Sequence, residues 1–262
     1  MECGLVPVVT TEPGEVRRIV ERDGAAVLAG WGTSADDAVA AAHAIFGAAV
    51  LRAPDPSLVR AGGERDRRLP MIDHTTPLEP HTDGFAYGDA YPDYFLLSCA
   101  TASPHGGESF LVDGDDVVAR LGAHPAGGEL LRRLQTVPVD QTEPGMQPSC
   151  SPVIGRTREG RLMMRRFVHQ RPALNSDDPE IDAAMIGAWW DAIARASRTA
   201  RRFKLRPGDV AVIDNYRMMH GREAYADIER LMWRVWVWTT AAHRVPDGPL
   251  HSDSRYAALA AE

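Results

Sequence analysis

The chain has 262 residues, 44% of them hydrophobic and 25% charged, and a formal net charge of −7. That length suits one large domain with a core of its own, and the acidic balance argues against a general nucleic-acid role, which needs a basic face. No apolar run approaches a membrane span, the N-terminus lacks the basic start and apolar core of a signal peptide, and Cys3, Cys99 and Cys150 are too few and too scattered for a disulfide framework. The expectation is a single cytoplasmic domain over 1–262, ending in a polar C-terminal tail over 241–262.

In chain order, residues 16–22 predict a helix and Ala25–Leu28 a strand. The Ala-rich stretch Ala35–Phe46 predicts a second helix capped by Ser34 or Thr33. Tyr94–Ala100 and Glu108–Val112 read as strands joined by the turn Ser103–Gly107, and a short helix follows Asp115 to about Leu121. A longer helix starts at Asp178-Pro179, with Ile181, Met185, Trp189 and Ile193 on one core-facing stripe. Its end is basic (Arg195, Arg198, Arg201, Arg202, Lys204, Arg206), which suits a solvated helix C-terminus. Pro207-Gly208-Asp209 turns into the apolar strand Val210–Ile213 and the polar exit Asp214-Asn215. In the last strong strand, Arg230–Thr240, Arg230, Met232, Arg234, Trp236 and Trp238 share one face; Leu231, Trp233, Val235 and Val237 share the other. Two buried guanidinium groups need anionic partners, and a bound dicarboxylate would be one. Many short strands with helices at the N-terminus and in one later insertion predict an α+β fold that is mainly β: a β-sandwich or jelly roll (double-stranded β-helix) decorated by helices.

One constellation carries chemistry. In Glu79-Pro80-His81-Thr82-Asp83-Gly84, His81 and Asp83 sit two apart, so on a strand they face the same way. His220, 139 positions further on (220 − 81), could complete two histidines and one carboxylate on one side of a metal ion. That set is the usual one of non-haem Fe(II) oxygenases. The same spacing recurs at His251 and Asp253, but in a polar stretch that reads as a solvated surface pair. Phe85, Tyr87, Tyr91 and Tyr94 follow the motif as pocket or packing residues. Asn215 and Arg222 flank His220 and could support the site or simply cap and solvate. His74 and His105 read as loop and turn residues, and Trp236 and Trp238 as a substrate wall or core.

With His81-Thr82-Asp83, Gly106-Gly107-Glu108-Ser109, the Pro207-Gly208-Asp209 strand before His220, and Arg230 and Arg234 in that order, the chain resembles a known family. It is similar to the Fe(II)/2-oxoglutarate-dependent dioxygenases of the taurine dioxygenase (TauD/TfdA-like) type, from about residue 25 to residue 240. The resemblance implies that His81, Asp83 and His220 hold Fe(II), and that Arg230 pairs with the far carboxylate of 2-oxoglutarate. Ser109 stands where relatives carry a Thr, keeping the hydroxyl and losing a methyl. Arg234 falls where relatives often contact the substrate, with Trp236 and Tyr87 as further substrate-binding candidates; the alternative is that both arginines serve one 2-oxoglutarate or a structural carboxylate. With O2 as second co-substrate, such enzymes release succinate and CO2 while oxidising an unactivated C–H bond. Asp83 argues for oxygen transfer over halogenation, which needs a small residue at that position. The substrate this implies is a small anionic molecule, such as an amino acid or an amino-acid-derived natural-product intermediate. A sulfonate, an aryloxy acid or a nucleotide-like substrate stays open, as do desaturation and ring closure. A Zn²⁺-dependent hydrolase, which would need neither Arg230 nor Ser109, and a non-catalytic jelly-roll binding protein are the other two classes. Oligomeric state is not legible.

Overall fold

In a computed structural model of the chain, the described residues are 5–60, 74–125, 127–146, 148–248 and 250–253. Strand β1 (Val8–Thr10) leads through helix α1 (Pro13–Asp23) to β2 (Ala25–Leu28). Pro13 opens α1, where a missing N–H costs nothing. Gly24 closes it at φ 86°, donating its N–H to the Val20 carbonyl; a Cβ there would meet the Met218 sulfur at 2.6 Å. Helix α2 (Ala35–Phe46) starts in a reciprocal capping box, the Ser34 hydroxyl accepting from the Asp37 N–H and the Asp37 carboxylate from the Ser34 N–H. Then follow β3 (Val50–Arg52), β4 (Ser57–Arg60), β5 (Leu78–His81), a 3₁₀ segment (Phe85–Ala90), β6 (Tyr94–Thr101) and β7 (Ser109–Asp113).

The insertion comes next: α3 (Gly114–Ala123), α4 (Gly127–Thr136), β8 (Val139–Asp140), β9 (Cys150–Ser151), β10 (Ile154–Arg156), β11 (Leu162–Met164), β12 (Arg171–Pro172) and α5 (Pro179–Ser197). The chain then runs through β13 (Arg202–Phe203), β14 (Val210–Asp214), β15 (Met218–Arg222) and β16 (Leu231–Thr239). Among the described residues, a seven-stranded sheet has the order β1-β2-β14-β6-β16-β3, with β4 also on β16, and a four-stranded sheet has the order β13-β7-β15-β5.

Period-2 alternation sorts side chains into layers. Val27, Phe95, Ile213, Met232, Trp236 and Trp238 of the large sheet meet Leu111 and Met218 of the small one in a core between the sheets. On the large sheet's other face, Leu96, Val210, Val212, Val235 and Val237 are covered by α1 and α2 through Val16, Val20, Ala38, Ala42 and Ile45. The small sheet's outer face, Val112 and Met219, is covered by α3, α4 and α5 through Val117, Leu134, Met185, Trp189 and Ile193. The protein is a mixed α/β structure of two stacked sheets between helices.

Two sequence expectations change. Helix α4 was not anticipated. On α5 the buried stripe keeps Met185, Trp189 and Ile193 but loses its first member: Ile181 is 49% exposed, while Asp182 is buried, held by Arg133 at 2.6 Å and Ser176 at 2.5 Å. The first turn of α5 therefore meets the core through an ion pair, and the apolar stripe begins at Met185. His220, which by sequence fell on a loop or the next strand, lies within a strand. Cys99 is buried and Cys150 exposed, each a free thiol; Cys3 lies outside the described residues.

Candidate metal centre and co-substrate pocket

His81 ends β5 and pairs in register with His220 on β15. Directly opposed residues on one face of an antiparallel pair come close, and the two imidazole centroids are 4.1 Å apart. Asp83 lies two residues beyond His81, in the turn leaving the strand. Its Oδ1 is 3.5 Å from His81 Nε2 and 3.8 Å from His220 Nε2. One ligand atom from each residue lies within 4.8 Å of the other two. Donors bound cis on an octahedral ion at about 2.1 Å stand about 3 Å apart, so a small contraction would close the set on a metal.

Protonation suits that role. His81 Nδ1 lies 2.9 Å from the Glu79 carbonyl, so the ring proton goes there and Nε2 presents its lone pair. Burial, and then the neighbouring His81, lower the His220 pKa to about 3, keeping this ring neutral. Burial pushes the Asp83 carboxyl up, but Arg234 with the two histidines outweighs it and holds the group well below the usual carboxylate range. Imidazole nitrogens and a carboxylate, gathered with acceptor atoms facing inward, repel one another unless a cation joins them. The donor set fits a divalent metal.

Asn215, left undecided by sequence, is fully buried and clamps the Asp83 backbone. Its Oδ1 accepts the Asp83 N–H at 2.9 Å, and its Nδ2 donates to the carbonyls of Asp83 (3.0 Å) and Pro92 (2.9 Å). Arg222 instead braces the loop before β5, donating to the His74 carbonyl. His74 packs against Tyr225, and the His105 carbonyl accepts from Ser103 Oγ inside its turn.

Arg230 is 4% exposed. Its guanidinium lies over the Tyr225 ring at 4.7 Å, and Nη1 has no hydrogen-bond partner among the described residues. A buried cationic donor without an acceptor is costly. Arg230 opens into a small cavity shared with Ser109, Ser103, Lys204, Leu205 and Met232. Gly107, at φ 72°, lets the backbone pass so close that a Cβ would stand 3.1 Å from Arg230 Nε. A guanidinium with Nη1 unmet, beside a hydroxyl and a lysine that also reaches the Pro104 carbonyl and Glu108, fits one carboxylate of a small diacid. Lys204 was missed: its place in a run of exposed cations after α5 hid it.

The three substrate-binding candidates converge near Asp83. Arg234 Nη1 and Trp236 Nε1 donate to Asp83 Oδ2 at 3.1 and 2.9 Å. Arg234 Nε donates to the Ser252 carbonyl, and its Nη2 faces Asp253 at 3.6 Å. Tyr87 stands edge-on to Trp236 and Trp238, and its hydroxyl accepts the His251 N–H at 2.8 Å. Residues 250–253 are thus no solvated tail: Ser252 and Asp253 are 1% and 5% exposed. Tyr94 belongs to the helix-covered face, away from this site, and Tyr91 packs with Met163 and Tyr216.

Two histidines and one carboxylate on one side, with a cationic pocket lined from the same inter-sheet core, match the donor set of non-haem iron oxygenases. The chain belongs to the taurine catabolism dioxygenase TauD, TfdA family, which it matches over residues 8–236. It is accordingly a dioxygenase that uses Fe(II) and 2-oxoglutarate. Among solved structures it resembles a taurine dioxygenase from Burkholderia xenovorans (TM-score 0.63, 19% identity, covering 99% of this chain and 92% of that one). It also resembles an asparagine oxygenase in complex with Fe(II), 2S,3S-3-hydroxyasparagine and succinate (TM-score 0.60, 18% identity, 87% and 78% covered). The non-heme iron oxygenase OrfP in complex with Fe, succinate and (3S)-hydroxy-L-Arg is a third (TM-score 0.58, 15% identity, 89% and 85% covered). At these identities the likeness is one of fold. No helix among the described residues is long and apolar enough to cross a membrane.

Proposed function

We propose that this enzyme hydroxylates an unactivated C–H bond of a free amino acid or an amino-acid-derived natural-product intermediate in the cytoplasm. The observation that carries the reading is the convergence of His81, Asp83 and His220 beside the unpartnered Arg230. We take the two stacked sheets as the halves of a double-stranded β-helix, with the site at the mouth between them.

His81 and His220 would offer Nε2 to Fe(II), and Asp83 would offer Oδ1. Iron held there would supply the O2-activating chemistry, with 2-oxoglutarate as the reductant that leaves as succinate and CO2. Arg230 would hold the far carboxylate of 2-oxoglutarate through its planar fork, which lysine cannot reproduce, with the Ser109 hydroxyl beside it. Arg234 has Nε and Nη1 committed, so its Nη2 edge would receive the substrate carboxylate in exchange for the 3.6 Å contact with Asp253. Tyr87 and Trp236 would form an apolar wall that excludes water from the reacting carbon. Support for an amino acid comes from this single displaceable contact and from the two amino-acid oxygenases among the similar folds.

The test is succinate release by Fe(II)-loaded enzyme with O2, 2-oxoglutarate and a panel of amino acids, amino-acid-derived intermediates, sulfonates and aryloxy acids. A coupled, hydroxylated amino-acid product is expected. Coupling only with a sulfonate or an aryloxy acid would overturn the substrate assignment, and a desaturated or cyclised product would overturn hydroxylation.

A further inference from the structure

Asp83 is held by more of the protein than ligation alone requires. A carboxylate can bind a metal through one oxygen or both, and a two-oxygen mode would fill a position that the co-substrates need. Here Oδ2 accepts two hydrogen bonds, from Arg234 Nη1 at 3.1 Å and Trp236 Nε1 at 2.9 Å. Oδ1 is the oxygen that faces the two imidazoles.

The tryptophan distinguishes this arrangement from ordinary packing. Trp189 and Trp238 send their indole N–H to backbone carbonyls, of Arg165 and Ala90, as buried tryptophans that merely pack would do. Trp236 aims its N–H at the ligand carboxylate. Its ring is 1% exposed, sits edge-on to Tyr87 and Trp238, and lies 4.9 Å beneath the Arg234 guanidinium. Both donors are tied to one residue of the C-terminal segment. The Ser252 Oγ accepts the Trp236 backbone N–H at 3.0 Å, and the Ser252 carbonyl accepts from Arg234 Nε at 3.0 Å.

We propose that Trp236 and Arg234 are positioning residues that hold Asp83 as a one-oxygen metal ligand, and that Ser252 locks the pair from the C-terminal segment. This rests on the triad being the iron site. Arg234 supplies charge, which alone would tolerate rotation of the carboxylate. The indole, a donor with one fixed direction, sets that rotation.

Co(II) titration of the full-length, metal-free protein tests the proposal, because visible absorption reports both affinity and coordination number without turnover. Trp236→Phe should weaken Co(II) binding by about tenfold, the scale on which partners of metal ligands act. It should also change the band as Oδ2 becomes free to bind. Ser252→Ala, which touches no metal ligand, should shift affinity and band in the same direction by less. Unchanged affinity and spectrum in both variants would overturn the proposal; should Trp236→Phe fail to fold, an unchanged Ser252→Ala does so alone. If Asp83→Ala binds Co(II) as tightly as the parent, the metal-site reading itself falls, and the proposal with it.

Discussion

At the scale of single residues, the site is a set of unmet needs. His220 Nδ1 and Arg230 Nη1 are buried without partners among the described residues, and Asp83 stays charged only because Arg234 and the histidines surround it. A co-substrate carboxylate would meet the need of Arg230, and a cation among the three donors would balance the buried charge of Asp83. Arg230 gives the most direct prediction. Arg230→Lys keeps the charge but loses the bidentate fork, so the KM for 2-oxoglutarate should rise about tenfold or more, about 1.4 kcal/mol per decade, with a smaller change in kcat. Steady-state kinetics at saturating primary substrate would show it. An unchanged KM would remove Arg230 from the co-substrate pocket.

At the scale of elements, strands set the spacing and a buried charge network ties them together. Asp93, fully buried just before β6, accepts from the Thr239 N–H and hydroxyl at the end of β16. Arg161, from the β10–β11 turn, lies 2.6 Å from Asp214 and 3.7 Å from Asp93. Burial pushes the Asp93 carboxyl up to about 6, against the pull of Thr239 and Arg161. Between the unfolded value of about 3.9 and that folded value, the native state holds the extra proton. The group's contribution to stability is therefore full below about pH 4 and is lost as pH rises to about 6. Asp93→Asn cannot lose a proton. Its stability relative to the parent should climb by on the order of 3 kcal/mol across that interval, read from urea unfolding at a series of pH values. Parallel profiles would sink the assignment.

The same scale shows what was legible in the chain. Strong alternation in Arg230–Thr240 and the Ala-rich α2 were plain because each carries one period throughout. Helix α4 was hidden because Gly127-Gly128 opens it, and glycine is a poor helix former, although Leu134 is fully buried. The grouping of His81, Asp83 and His220 was readable from motif spacing, and the burial of Arg230 from the alternation of the last strand. Trp236 as a partner of Asp83 was not, because that contact joins residues 153 positions apart, and neither was Ser252 behind Trp236 and Arg234, because it depends on the path of the C-terminal segment.

At the scale of the molecule, no element contains the site. His81 ends β5 and Asp83 follows it, His220 sits on β15, and the groups behind Asp83 come from β16 and residues 250–253. The unfolded chain has no such cluster, so metal binding must be linked to global stability. Co(II) at a hundredfold excess over its Kd should stabilise the protein by about 2.7 kcal/mol, seen as a shift of the urea midpoint at constant slope. Asp83→Ala should lose that gain. A gain that survives in the variant would place the bound metal elsewhere.

The pairing of His81 with His220 across β5 and β15 has one last consequence. Side chains alternate across a strand, so a slip of one residue would set Gly221 opposite His81 and turn the second imidazole toward the helix-covered face. A misaligned chain could still bury Met218 or Met219 and look folded, but it could not assemble the triad. A metal held by this triad would therefore proofread strand alignment: only correctly registered molecules could acquire it, and acquiring it would make the register harder to lose.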